Sequence, residues 1–178
     1  MDKHLLSVLV YNHPGVLFRV AGLFSRRGFN IESLAVGTTH DPKISRMTII
    51  VEGDDYTVDQ IVKQLGKLIQ VITVKAIRSE SSVSRELVLV KVKATPKMRS
   101  QVLQIVDIFR AKTIDVSRET LTIEMTGEGD KTEALLETLA DYEIMEIART
   151  GIIALERGAS TISSDNKERK EFDYGKNK

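Results

Sequence analysis

NHPGVLFRVAGLFSRRGFNI, running from Asn12 to Ile31, decides how the first half of this chain folds. Pro14 and Gly15 end whatever precedes them: proline fixes φ and lacks an N–H, and glycine accepts turn geometry. Val16, Leu17, Val20 and Phe24 then follow helical spacing. Arg26-Arg27-Gly28 reads as a helix stop, with cations at the negative end and a glycine able to turn left-handed. Upstream, Leu5 to Val10 is a β-rich apolar run and predicts a strand. Downstream, Asn30 to Val36 predicts a second one.

The rest of the half follows outward from there. GTTHDPKIS is a loop, and Arg46 to Glu52 alternates as a third strand with Met47, Ile49 and Val51 on one face. Thr57 to Gln60 fits a capping box, and Val58, Ile61, Val62 and Leu65 supply a helical stripe. Val71 to Ile77 predicts the fourth strand, so the order is βαββαβ. The serine-rich stretch Ser79 to Ser84 reads as a linker.

The order then repeats. Glu86 to Ala94 predicts a strand, and Thr95-Pro96 a capped helix start with Met98, Val102, Ile105, Val106 and Phe109 as the stripe. Ile114 to Ser117 and Leu121 to Thr126 predict two strands, Asp130 with Glu133 a helix cap, and Ile144 to Leu155 the last strand. The fold class is therefore α+β, two ferredoxin-like βαββαβ domains. Residues 1–78 form the first domain, 79–84 the linker and 85–157 the second domain. Residues 158–178 are too polar to offset their ordering entropy and predict a disordered tail. Each such sheet has one face without helices, so a homodimer is expected to cover that face or extend the sheet.

Composition narrows the function. In 178 residues, Lys plus Arg number 26 against 25 for Asp plus Glu, a balance that argues against finding nucleic acid or membrane by charge. The absence of cysteine excludes disulfides, thiolate metal sites and a cysteine nucleophile. The N-terminal apolar run is too short for a secretory signal and no stretch approaches a membrane span, so a soluble cytoplasmic protein is expected. His4, His13 and His40 lack metal-ligand spacing. No phosphate loop or dinucleotide fingerprint occurs, and the Gly127/Gly129 segment reads as a turn. The predicted strands lack the aromatic residues an RNA-binding sheet needs. No catalytic constellation and no metal site is found, which disfavours an enzyme acting alone.

What remains is the Pro-Gly entrance. A helix N-terminus offers unpaired N–H groups and a positive dipole end. Gly15 would let a carboxylate approach, and Asn12 and Asn30 carry both acceptors and donors. A small zwitterion with an aliphatic side chain would suit such a pocket. The plain alternative is that Asn12 caps the helix, Pro-Gly makes the turn and Asn30 bonds backbone at a strand start.

Strand, polar residue, Pro-Gly, apolar helix, then Gly-x-Asn-Ile resembles the ACT domain, a family of amino-acid-sensing βαββαβ modules. The wider run RVAGLFSRRGFNIESLAVGTTHDPKISRMTIIVEGDD, with QIVKQLGKLIQVITV and RELVLVKV, resembles the regulatory subunits of acetolactate synthase over about residues 1–157. The resemblance implies a non-catalytic chain that activates a separate catalytic subunit and confers feedback inhibition by valine or another branched-chain amino acid. Thiamine diphosphate, a magnesium ion and FAD are expected on that catalytic subunit, none on this chain. It also implies that the inhibitor sits between two ACT domains. Carried over, the effector residues are Asn12 and Gly15, the first-turn amides of Val16 and Leu17, Asn30, and Ile31 as an aliphatic wall. An ACT-containing regulator of transcription is a rival reading, but no helix-turn-helix or basic stripe supports it. A purely structural module is the other.

Overall fold

The computed structural model describes residues 2–163. Its first unit comprises β1 (Asp2–Tyr11), α1 (Val16–Arg27), β2 (Ile31–Thr38), β3 (Ile44–Gly53), α2 (Asp55–Leu65) and β4 (Val71–Ile77). The strands form one antiparallel sheet in the order β2-β3-β1-β4. Strand alternation aims Leu6, Val8 and Val10 of β1 and Met47, Ile49 and Val51 of β3 at the helices, in a register that sets Leu6 beside Ile49 and Val8 beside Met47. Val16, Val20, Leu23 and Phe24 of α1 and Val58, Ile61 and Leu65 of α2 close that core. Leu17 is exposed, so the buried stripe of α1 runs through Leu23 instead.

The second unit repeats the plan with β5 (Ser82–Lys93), α3 (Arg99–Ile108), β6 (Lys112–Val116), β7 (Thr120–Gly127), α4 (Gly129–Thr138) and β8 (Ile144–Arg149). Its sheet order is β6-β7-β5-β8, the same topology as the first. Val88, Val90, Val92, Leu121, Ile123 and Met125 form its core with Val102, Val106 and Leu135.

Three helix starts differ from those read in the sequence. Asp54, not Thr57, caps α2, its carboxylate accepting the Thr57 N–H at 2.8 Å. At α3 the Thr95 carbonyl accepts from the N–H groups of Met98 and Arg99, and no side chain caps the helix. At α4 no side chain caps either, and Glu133 instead accepts from Arg149 at 2.8 Å. Each difference reflects the approach path of the chain, which decides which local side chain can reach the first turn.

The last strand is broken in two. After β8 the chain kinks at Thr150–Ile152 and continues as β9 (Ile153–Glu156), which pairs with Ser82 to Arg85 at the start of β5. Part of the serine-rich stretch thus belongs to a two-stranded ribbon. The ribbon lies against the helix-free face of the first sheet. There Gly151 abuts Ser33 and Leu34, and Lys75 of β4 binds Glu156 at 2.9 Å. Ser7, Thr48 and Ile50 on this face are buried. The expectation that a partner must cover the bare face therefore needs revision for the first sheet: the chain covers part of it itself. Ile162 is buried too, so the polar tail is packed at its start. From Ser164 onward the expected tail lies outside the described residues.

Candidate functional site

Asn12 follows β1 and is fixed from two directions. Its backbone N–H donates to the Lys43 carbonyl at 2.7 Å, and its side-chain amide donates to the Pro42 carbonyl at 2.9 Å. Asn12 thus ties the Pro-Gly turn to the β2–β3 loop and does not cap α1. Only the NH2 group can serve a carbonyl, so the Asn12 amide oxygen keeps its acceptor capacity. Gly15 follows at φ 82°, ψ −4°, the left-handed region that disfavours a side chain. A Cβ built there meets nothing within 4 Å, so the space above it is open.

No side chain caps α1, and its first turn holds no acidic residue. The first amides of a helix have no intrahelical acceptor, and they carry the positive end of the macrodipole. Arg26 and Arg27 in the last turn and Gly28, left-handed after it, complement the other end. The entrance is therefore an open turn with no side-chain cap. The Val16 side chain is buried in the core and its N–H donates to the His13 carbonyl at 3.4 Å, a long bond; Leu17 and Phe18 are exposed. Phe18, 81% exposed beside this turn, escaped the sequence reading. Its only signal was falling off the buried stripe.

Asn30 and Ile31 lie elsewhere in the same chain. α1 has 12 residues and so spans about 18 Å, carrying the chain from Gly15 back to the other end of the strands. The register agrees. Tyr11 sits beside Ile44 and Thr38 beside Ser45 at the Pro-Gly end, whereas Ile31 sits beside Val51 and Lys3 beside Glu52 at the other. One chain thus brings together Asn12, Gly15, Val16 and Leu17, and separately Asn30 and Ile31. Between the second pair and the rest of β2 the pairing slips at Glu32, a β-bulge. Lys3 bridges to Glu32 there, and this hydrogen bond and its charge raise the Lys3 ammonium above its ordinary value.

Two other places bear on function. A cavity of about 630 Å³ lies on the helix-free face, between Ala35, Gly37, Arg46 and Thr48 of the first sheet and Val83 and Ile153 of the ribbon. It is not at the Pro-Gly entrance. Burial there lowers the Arg46 guanidinium below its ordinary value. The second unit has its own counterpart of the entrance. Ala94 N–H donates to the Glu119 carbonyl at 2.6 Å, as Asn12 does to Lys43. In the second unit, however, the Arg99 guanidinium reaches back to the carbonyls of Ala94, Ser117 and Arg118 at 3.3, 2.7 and 2.7 Å. A cation of the protein itself occupies that turn. Among the described residues no cluster of three or more His, Asp or Glu is placed to hold a metal ion, and no helix is long and apolar enough to cross a membrane.

Comparison with known proteins bears on both units. Residues 6–73 match the family described as AHAS small subunit-like ACT domain, and residues 85–158 that described as small subunit of acetolactate synthase. A probable acetolactate synthase small subunit of Archaeoglobus fulgidus is 56% identical over 88% of this chain and 98% of its own. The acetolactate synthase small subunit of Mycolicibacterium smegmatis is 53% identical over 90% of this chain and 95% of its own. The crystal structure of the acetolactate synthase small subunit from Thermotoga maritima superposes with a TM-score of 0.83 at 47% identity, covering 90% of this chain and all of that one.

Proposed function

The chain belongs to the family of acetolactate synthase small subunits, which are regulatory and not catalytic, and from that premise we propose that it senses a branched-chain amino acid as a homodimer. It partners the catalytic subunit, activates it, and transmits feedback inhibition by valine or a close relative. Thiamine diphosphate, magnesium and FAD then belong to the catalytic chain.

The observation that carries this reading is the uncapped start of α1 beneath an open, left-handed Gly15. The effector carboxylate accepts from the first-turn amides, as anions do at helix N-termini. Its ammonium donates to an asparagine amide oxygen, and its aliphatic side chain rests on Ile31. The two halves of this site are separated within a chain, which favours assembly by two chains. If the edge strands β2 of two copies pair antiparallel about a two-fold axis, the start of one β2 lies beside the end of the other. Asn30 and Ile31 of one protomer then face the Pro-Gly entrance of its partner. Val36, exposed on this edge strand, is an apolar residue such pairing would cover.

Calorimetric titration of the purified chain with valine, leucine and isoleucine tests the proposal, followed by reconstitution with the catalytic subunit. Saturable binding that weakens in Gly15→Asp supports it. A chain that activates the catalytic subunit yet binds none of the three overturns the sensor role.

A further inference from the structure

Resting on the effector site just proposed, we propose that the joint between β8 and β9 relays effector occupancy from β2 to the second unit. Gly151 at this joint is packed onto Ser33 and Leu34. A Cβ built on it would stand 2.7 Å from the Ser33 hydroxyl and 3.5 Å from the Leu34 carbonyl carbon and oxygen. Its φ of 76° independently calls for glycine. The contact is therefore a close, shape-determined seat.

Its position matters as much as its tightness. Ser33 is two residues beyond Ile31, about 6.6 Å along the strand, with the Glu32 bulge between them. A bulge leaves one residue outside the ladder and bends the strand locally. Ligand contact at Asn30 and Ile31 thus acts on the irregular start of β2, and the next residues touch the joint.

The joint is in turn built into the second sheet. β5 runs from the ribbon into the centre of that sheet, where it pairs with β7 and β8, and β9 continues the path of β8. The ribbon's other end is held by Lys75 and Glu156, whose side chains are only 25% and 12% exposed, so solvent screens this pair less than a surface one. Arg46 of β3 also acts on the Glu156 charge. With one end pinned by charge and the other seated on β2, movement of β2 reorients the ribbon and the sheet attached to it.

The test uses Lys75→Glu, Glu156→Lys and the double exchange, each reconstituted with the catalytic subunit. Valine affinity of the regulatory chain, basal activation and valine inhibition are measured separately. Allosteric couplings of about 5- to 150-fold are typical, and for binding they are reciprocal: the catalytic subunit shifts valine affinity by the factor by which valine shifts the affinity between the subunits. The single exchanges are expected to keep valine affinity within about threefold and to retain activation, while their coupling falls below about fivefold. The double exchange is expected to recover part of it, since Arg46 opposes a cation at position 156. Full inhibition in both single exchanges with valine still bound overturns the relay while leaving the effector site standing. Loss that the double exchange does not recover at all also overturns it, by assigning the pair a folding role. A wild-type chain that binds no valine overturns the site and the relay together.

Discussion

Gly15 and Ile31 stand at opposite ends of α1, and so at opposite ends of the strands of the same four-stranded sheet. In the proposed site the Gly15 end supplies amides for a carboxylate, and the Ile31 end an aliphatic surface beside an amide. Each end provides only half of what an aliphatic amino acid requires. A sensor built this way reports ligand and assembly together, because the ligand's affinity includes the contact between the two chains that hold it.

Gly15→Asp places a carboxylate in the open space above the first turn, where it competes for the same amides as the effector. Valine affinity is expected to fall at least tenfold, since one charge-assisted hydrogen bond contributes about 1.5–3 kcal/mol. The surroundings are open and the left-handed backbone costs an aspartate only about 1–2 kcal/mol, so the fold is expected to survive, and activation of the catalytic subunit with it. Titration together with an activation assay checks both halves. A holoenzyme still fully sensitive to valine would place the effector elsewhere.

Mixed dimers separate a site made by two chains from one made by a single chain. Gly15→Asp and Asn30→Leu homodimers are each expected to lose valine binding. In a heterodimer of the two, one interface combines the intact entrance of one protomer with the intact Asn30 of the other. About half of the wild-type valine capacity should return, measured on tagged heterodimers purified in sequence. Heterodimers as inert as both parents would show that each chain must supply every contact itself.

The order of elements and most of the helical stripes were legible because they are local, although Leu17 falls outside the buried face of α1. Leu6, Val8 and Val10 alternate, and Val58, Ile61 and Leu65 fall on one helical face whatever the rest of the chain does. Caps were less legible: Asp54 and Thr57 both fit a helix start, and the approach from β3 selects Asp54. Ser82 to Arg85 read as linker because its strand partner, β9, lies far along the chain. The candidate site residues were nameable from the Pro-Gly motif, but their separation within one chain was not. Motif spacing says nothing about which end of a helix a later strand begins at, and nothing local announces that Gly151 seats on Ser33.

The Asp54 cap gives a pH signature. Hydrogen bonds from Thr57, side chain first and backbone N–H second, hold the Asp54 carboxyl below its usual range. A carboxyl depressed on folding stabilises the protein above its unfolded value, and that contribution is lost as pH falls through the folded value. Asp54→Ala should therefore lower the melting temperature at neutral pH, and the difference should shrink in strong acid. Thermal melts of both proteins across the acid range read this directly. A difference constant with pH would mean that the charge on Asp54 contributes nothing.

Arg99 explains why the duplicated architecture need not give a duplicated sensor. Its guanidinium serves carbonyls from the end of β5 and from the β6–β7 turn, closing the turn whose counterpart is open at Gly15. Arg99→Met keeps much of the apolar stem but leaves those carbonyls without their donor. The two short bonds are exposed, so water replaces the lost donor and the cost is about 1–3 kcal/mol, still a sizeable part of the stability of a domain this size. Chemical denaturation is expected to show the second unit unfolding earlier, with the first nearly unchanged. Titration of wild type should give one valine per chain, since only the first unit keeps its helix entrance open. Two valines per chain in wild type would show that the second turn accepts ligand despite Arg99, and an unchanged denaturation profile in Arg99→Met would show that the guanidinium does not hold that turn.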